Sequence, residues 1–205
     1  AWTAANAVEL PNVTEHELAD DPVALAEAAP EQQLERFEAA FDAASQADFT
    51  IIDTPGGHTA LSRAAHGRAD LIVTPMNDSF VDFDMLGVVD PVSLDLVKPS
   101  LYALTVWEAR KAKAATSGRS LDWVVLRNRL APAEARNRKR VEDRLTALSR
   151  RTGFVIGPGL RDRVIYRELF PFGLTVADLS PKVRPVAVSL SHLAARQEMR
   201  ALMHA

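Results

Sequence analysis

Cysteine is absent from the 205 residues. That absence excludes disulfides, thiolate metal sites and cysteine nucleophiles together, and it fits a reducing compartment. No apolar run approaches the 18 or more residues of a membrane span. No basic, apolar, small-residue leader opens the chain. Its first residue is Ala1 and not Met, which reads as a processed or truncated start. Cations are scarce early on: residues 1–60 hold twelve acidic side chains and one basic one, Arg36. His16, His66, His192 and His204 lack the spacing of metal ligands, so they read as surface or capping residues. No glycine precedes a lysine, and none of Lys98, Lys111, Lys113, Lys139 and Lys182 precedes Ser or Thr. The residues therefore contain no G-x-x-x-x-G-K-[ST] phosphate loop.

What is present is ordinary for a globular chain, with 47% hydrophobic and 25% charged residues, and the length suits a single domain over 1–205. Residues 31–44 carry Leu34, Phe37 and Phe41 at helical spacing. "DFTIIDTP" reads as a strand, and Thr59 caps a helix through "ALSRAAHGRA". "DLIVTPMN" reads as a buried strand halted at Pro75. "DSFVDFDMLGVVD" reads as a helix capped by Asp78 or Ser79, followed by a loop punctuated by Pro91 and Pro99. "SLYALTVWEARKAKAAT" is a helix, with Trp107 expected in the core, as is Trp123 in the strand "DWVVLRNRL". A long helix spans "PAEARNRKRVEDRLTALSRRTG", with Pro132 near its start and Gly153 past its end. "FVIGPGL" is a fourth strand, "DRVIYRELFPFG" a helix, and "SLSHLAARQEMRALMHA" a last helix with Leu190, Leu193, Ala194 and Met199 as its apolar stripe. Strands alternating with helices predict an α/β fold, a mainly parallel sheet flanked by helices.

Ligands of such sheets bind beyond the C-terminal ends of the strands. "DTPGG", "TPMND", "RNRL" and "GPGL" all fall there. Asp53 ends a strand, and its carboxylate can hold Mg²⁺ through a water. Gly56 and Gly57 let a backbone N–H approach a terminal phosphate with no Cβ in the way. The plain alternative is a strand-to-helix turn, for which Asp, Pro and Gly are also suited.

A second constellation is electrostatic. Residues 119–167 hold thirteen Arg or Lys against five Asp or Glu. On a helix at roughly 100° per residue, Val141, Leu145 and Leu148 share one arc and face the sheet. Arg136, Lys139, Arg140, Arg144, Arg150 and Arg151 fall on the other side, with Asp143 among them. Arg161 and Arg163 extend the strip. Guanidinium groups bind phosphate bidentately, and no aromatics interleave for base stacking. The pattern predicts phosphate contacts to duplex DNA without sequence readout. The alternative is a solvated helix face.

Six blocks in order carry a resemblance: "DTPGG", "HGRADLIVTPMNDSFVDFDMLG", "KPSLYALTVWEARK", "DWVVLRNRL", "ARNRKRVEDRL" and "GPGLRDRVIYRELFPFGLT". Together they closely resemble the MipZ family of bacterial division-site positioning ATPases, of the ParA/MinD kind with a deviant P-loop. The resemblance is close from about residue 48 onward. It implies a P-loop NTPase fold whose first strand and P-loop, something on the order of fifty residues, lie before Ala1, and a short extension past Ala205. It implies that Asp53 is the Mg²⁺-associated carboxylate and that Thr54 to Gly57 form the switch sensing the γ-phosphate. It implies that Asn128 reads the adenine edge, with Arg129 and Pro158 lining the base pocket. An amide can both donate to and accept from adenine. His58 departs from the pattern, since family members often carry an acidic residue there. The cofactors implied are ATP and Mg²⁺. The partners implied are non-specific duplex DNA through Arg136, Lys139, Arg140, Arg144 and Arg161, the centromere-binding protein ParB, the division tubulin FtsZ, whose assembly is inhibited, and a second copy when ATP is bound. No membrane partner is implied, and the place implied is the cytoplasm, on the nucleoid.

Without a P-loop the 205 residues alone are expected to bind ATP poorly and to be inactive. Two other readings use the same residues. One is a ParA-type chromosome or plasmid partition ATPase, against which "FDMLG" and "RELFPFG" argue. The other is a non-catalytic DNA- or protein-binding module.

Overall fold

The computed structural model describes residues 12–16, 18, 28–54, 58–77, 79–93, 95–130, 135–180 and 189–204, with backbone alone for 135–138. In chain order the elements are α1 (Pro30–Ala44), α2 (Ala60–Arg68), β1 (Leu71–Asn77), α3 (Phe80–Phe83), β2 (Gly87–Val89), β3 (Leu96–Pro99), α4 (Leu101–Ser117), β4 (Asp122–Asn128), α5 (Ala135–Thr152), β5 (Val155–Gly157), α6 (Ile165–Leu169), a 3-10 turn at Phe170–Phe172, and α7 (Leu190–Met203). The fold is α/β. Its parallel sheet has the order β1-β4-β5, and β2 and β3 form a separate antiparallel pair. The chain divides into two compact units, one of Asn12–Ile72 with Leu101–Asp122, the other of Val73–Ser100 with the described residues from Trp123 onward.

The first unit is helical. α2 packs on both α1 and α4. Thr59 caps α2 through a reciprocal pair, its hydroxyl accepting from Ser62 N–H and Ser62 Oγ accepting from Thr59 N–H. Such a capping box satisfies two orphan donors of the first turn. Arg68, in the last turn of α2, forks onto Glu38 of α1 and lies 5.4 Å from the Phe41 ring. Lys113 of α4 donates to Asp70 Oδ1 at 2.7 Å, and this hydrogen bond holds the Asp70 carboxyl below its ordinary range.

The second unit carries most of the sheet. Val141, Leu145 and Leu148 of α5 are fully buried, and α5 packs on β3, β5 and α3. Each such side chain contributes roughly 1.5–3 kcal/mol by leaving water. Trp123 on β4 is also buried, edge-on to Phe154 at 5.0 Å between ring centres, and its indole N–H donates to Thr74 Oγ1 of β1 at 3.0 Å. Gly153 ends α5 at φ 74°, and its N–H donates to Ser149 O. Glycine suits that left-handed position because it has no Cβ. Gly87 is closely surrounded: a Cβ there would come within 2.9 Å of the Leu96 side chain and 3.2 Å of Leu148, so those leucines would have to shift.

A satellite cluster of Ile165, Leu169, Leu174, Val176, Leu179 and Ala195 joins α6 to α7. Beside it, Arg163 Nη2 donates to Glu198 Oε1 at 2.7 Å, and Nε donates to Oε2 at 3.1 Å. Burial pushes the Glu198 carboxyl up, but the Arg163 hydrogen bonds and the Arg161 N–H outweigh it, so it lies below the ordinary value. A carboxyl lowered on folding adds stability that is present above the unfolded value, near 4.3, and is lost as pH falls through the folded value. Glu198→Gln is therefore expected to cost about 2 kcal/mol at pH 7. The gap from the parent should close below about pH 4, as read by urea unfolding at both pH values.

Several sequence expectations change. Residues 49–54 form no strand, and Phe49 and Ile51 are 88% and 92% exposed. A β-branched run becomes a strand only where a neighbour accepts its backbone bonds, and none pairs with it among the described residues. β1 runs through Pro75 and does not stop there. It is an edge of the described sheet, where a missing N–H removes no ladder bond. Its Leu71 and Val73 are about half exposed, so it is not buried on both faces. The expected helix after Ser79 is one turn, capped by Ser79 Oγ on Asp82 N–H. "GVV" is strand β2, paired with β3, which includes Pro99. The loop between them is built on Asp90, whose Oδ1 accepts from Val92 and Ser93 N–H. Trp107 lies on the outer side of α4, 42% exposed under Lys111 Nζ at 3.6 Å, because Ala103, Thr105 and Val106 take the inner side. On α7, Leu190 and Leu193 are exposed, while His192 and Ala195 turn inward. Pro132 and Asp78 lie outside the described residues.

Candidate functional site

The parallel ladder Val124↔Val155, Val125↔Ile156, Leu126↔Gly157 carries β4 and β5 to one rim in register. Beyond it the two loops are stitched together. Leu160 N–H donates to Arg127 O at 2.8 Å, and Leu130 N–H donates to Leu160 O at 3.0 Å. A Leu130↔Arg161 bridge follows. A Cβ on Gly159 would fall 2.3 Å from Leu130 Cδ1, so glycine is what lets the loops close up. This brings Asn128, Arg129 and Pro158 onto one rim. Arg129 adopts φ 52°, a left-handed value uncommon for a residue with a side chain. Such strain persists where the surroundings over-determine it, often at ligand sites. Asn128 Oδ1 accepts from Arg129 N–H at 2.9 Å. That bond orients the amide and leaves its NH₂ donors without a hydrogen-bond partner among the described residues, available to an acceptor such as a base edge.

Asp53 and Thr54 lie in the other unit, on the irregular stretch before α2, with Asp53 exposed and Thr54 half-buried. Gly56 and Gly57 lie outside the described residues. The Asp53 carboxylate makes no hydrogen bond or ion pair among the described residues, so it is available to a cation or a coordinated water. Among the described residues no group of three or more His, Asp or Glu converges on a metal position. Just past the glycines, His58 Nδ1 lies 3.0 Å from Thr105 Oγ1 of α4. Spacing could not show that contact, since 47 residues separate the two. His66 on α2 is buried rather than on the surface, edge-on to Tyr102 at 5.6 Å. Burial, then the nearby His58, lowers its ring below the ordinary histidine value. His192 is buried too, and it caps α7, its Nδ1 accepting from Ser189 N–H at 2.6 Å.

The basic strip of α5 is partly engaged by the protein's own carboxylates. Lys139, Arg140 and Arg150 are exposed. Arg144 lies 3.1 Å from Asp95, with its side chain 26% exposed. Arg151 donates to Val97 O at 3.3 Å. Arg161 reaches Glu198 at 3.7 Å, and Arg163 is held by the same carboxylate. Glu142 sits 3.5 Å from Arg127. The Arg136 side chain lies outside the described residues. The carboxylates Asp95 and Glu198 are far in sequence from the strip, which is why periodicity does not reveal them.

Among the described residues no helix is long and apolar enough to cross a membrane. A comparison with curated proteins gives no match. The family model described as "ATPase MipZ" matches residues 1–205. The match spans both the strand-end loops and the basic helix, and on it this chain belongs to the MipZ family of ATPases.

Proposed function

We propose that the protein is an ATP-dependent, dimerising regulator that positions bacterial cell division, binds DNA without sequence preference, interacts with ParB and inhibits FtsZ assembly. The observation that carries this reading is the family match over the whole of residues 1–205. The stitched rim of β4 and β5 supports it from the geometry. In this reading the two units are parts of one ATPase domain. Asn128 holds the adenine edge by its free amide donors, with Arg129 and Pro158 beside it. Asp53 holds Mg²⁺ through a water, and Thr54, Gly56 and Gly57 face the terminal phosphate. A divalent cation held there would supply charge that neutralises the phosphates. The protein's part is positioning and electrostatic stabilisation. A GK[ST] loop supplies much of the phosphate affinity in such sites, so the 205 residues by themselves carry only part of it. ATP binding brings two copies together, and their α5 strips act jointly on DNA, which places the protein on the nucleoid.

The test is nucleotide turnover and binding in the intact protein. Asp53→Asn is expected to lower ATP hydrolysis by about 100-fold while the fold is kept. Asn128→Ala should weaken ATP binding by about tenfold, the loss of one or two hydrogen bonds, and narrow the preference for ATP over GTP. Fluorescent-nucleotide titration and phosphate release read both. Unchanged turnover in Asp53→Asn would sink the placement of the phosphates.

A further inference from the structure

The loop after β5 is pinned on two sides. On one side it pairs with the chain just past β4: Leu160 N–H donates to Arg127 O, Leu130 N–H to Leu160 O, and Asp162 N–H to Leu130 O at 3.4 Å. In that parallel bridge Leu160 and Asp162 bond toward Leu130, so the N–H of Arg161 between them points the other way. A backbone donor there needs an acceptor. Glu198 of α7 supplies it, 37 residues further along the chain. Its Oε2 accepts from Arg161 N–H at 3.3 Å and from Arg163 Nε at 3.1 Å, and its Oε1 accepts from Arg163 Nη2 at 2.7 Å. Arg163 Nη1 also donates to Ser191 Oγ at 3.3 Å. Ser191 and Glu198 lie two turns apart on one face of α7, so the guanidinium spans that face. The Arg163 and Glu198 side chains are 15% and 19% exposed, so water competes little for the pair. α7 is itself fixed, by Ala195 in the cluster with Ile165 and Leu169 and by the Ser189–His192 capping box. Pro158 stands just before the clamped stretch, between Gly157 and Gly159. Glycine on both sides gives the loop little stiffness of its own, so its place is set by what holds it from outside.

We infer that Glu198 is the positioning residue of the base pocket: through Arg163 and the Arg161 N–H it sets where Pro158 stands against Asn128 and Arg129. The inference rests on the reading that those three residues take the adenine of ATP. Glu198 itself touches no part of the nucleotide. A rim already ordered before the ligand arrives costs no ordering free energy on binding. Without the carboxylate, the Arg161 N–H and the Arg163 guanidinium lose their acceptor, two cations remain beside the rim, and the loop is held from the β4 side alone. The rim then spends part of its time where Pro158 and the base do not meet, and apparent affinity falls in proportion. The clamp touches none of the residues read as facing the phosphates. The loss is therefore confined to ligands that carry a base.

The experiment titrates the intact protein with fluorescent ATP and GTP analogues, with inorganic triphosphate as a competitor that has no base. Glu198→Ala is expected to raise Kd for ATP about tenfold and to narrow the preference over GTP. Competition by triphosphate should stay within about twofold of the parent, as should kcat at saturating ATP. Glu198→Gln keeps one acceptor oxygen and should lose about threefold. Ala195→Gly is the control for stability: it weakens the packing of α7 and leaves the carboxylate in place, so its Kd for ATP should match the parent's. A Kd for ATP in Glu198→Ala within about twofold of the parent would overturn the inference. So would an equal loss for ATP and triphosphate, or the same loss in Ala195→Gly, since either makes the effect one of folding. Asn128→Ala is the separate arm. If it binds ATP as the parent does, the base is not at this rim and the placement fails, whatever Glu198→Ala shows. If it weakens ATP while Glu198→Ala does not, the placement stands and the role of Glu198 alone is lost.

Discussion

In the intact protein, Lys139→Ala with Arg140→Ala should weaken ATP-dependent binding to duplex DNA by about 30-fold near 0.1 M salt. The loss should be about equal on unrelated sequences. These two cations are exposed on the outer side of α5, opposite Val141, Leu145 and Leu148. Each phosphate they neutralise releases condensed counterion, so each lost contact should reduce the salt slope by about one unit. In the proposed ATP-bound dimer, two copies would double the contacts and join them through effective concentration, so two substitutions should have a large effect. The structure adds an effect of opposite sign. Asp95 lies 3.1 Å from Arg144, so Asp95→Ala should remove one opposing charge from beside that guanidinium and tighten DNA binding about threefold. Arg161 and Arg163 are shared with Glu198, and Glu198→Gln should act in the same direction. Fluorescence anisotropy on two unrelated duplexes at several salt concentrations reads affinity and slope, with dimerisation followed separately. Equal affinity and slope in the Lys139/Arg140 double variant would return α5 to a solvated face. A weaker complex with Asp95→Ala would remove Arg144 from the contact set.

Trp123→Ala should be the most damaging single change to stability, at about 4 kcal/mol. The indole is 1% exposed, packs on Phe154, and joins β4 to β1 through Thr74. Its removal leaves a cavity and strips Thr74 Oγ1 of a donor at once. Trp123→Phe keeps the ring contact with Phe154 and loses the hydrogen bond, so it should cost about 1.5 kcal/mol. Trp107→Ala is the matched control: that ring is 42% exposed, and its loss should cost less than about 1 kcal/mol. Urea unfolding followed by circular dichroism measures all three. A Trp123→Ala variant within 1 kcal/mol of the parent would mean that β4 is not packed as described.

Trp107 and Trp123 mark the limit of reading from the chain alone. Both lie in apolar segments, and hydropathy cannot tell them apart. Which side of α4 turns inward depends on α2, which packs against it. The inward side belongs to the residues that fit there, Ala103, Thr105 and Val106. Local chemistry was legible wherever the partner is a few residues away. Thr59 and Ser62 close a capping box at a spacing of three, Ser79 caps α3, and Gly153 ends α5 where its missing Cβ is needed. The 3.6-residue period of α5 separated Val141, Leu145 and Leu148 from the cations without any coordinates. Strand existence was legible only in part. "DLIVTPMN" and "TIID" have the same β-branched character, yet the first pairs and the second finds no neighbour among the described residues. A strand's backbone bonds belong to two segments, and one segment's sequence holds half of them.

The candidate site divides the same way. The stretch before Asp53 forms no strand and Gly56 and Gly57 lie outside the described residues, whereas Asn128 stands at the end of β4, where α/β folds place ligand chemistry, and that position could be read directly. The hydrogen bond from His58 to Thr105 across 47 residues, the capture of Arg144 by Asp95 and the sharing of Glu198 by Arg161 and Arg163 could not. The sequence by itself determined the alternation of elements, the buried face of α5 and the residue types at the strand ends, because each depends on periodicity or on neighbours within a few residues. The tertiary structure alone decided which cations lie against a distant carboxylate, which imidazole nitrogen of His58 meets Thr105 and which tryptophan is core. Each of those is settled by the distance between side chains that only folding brings together.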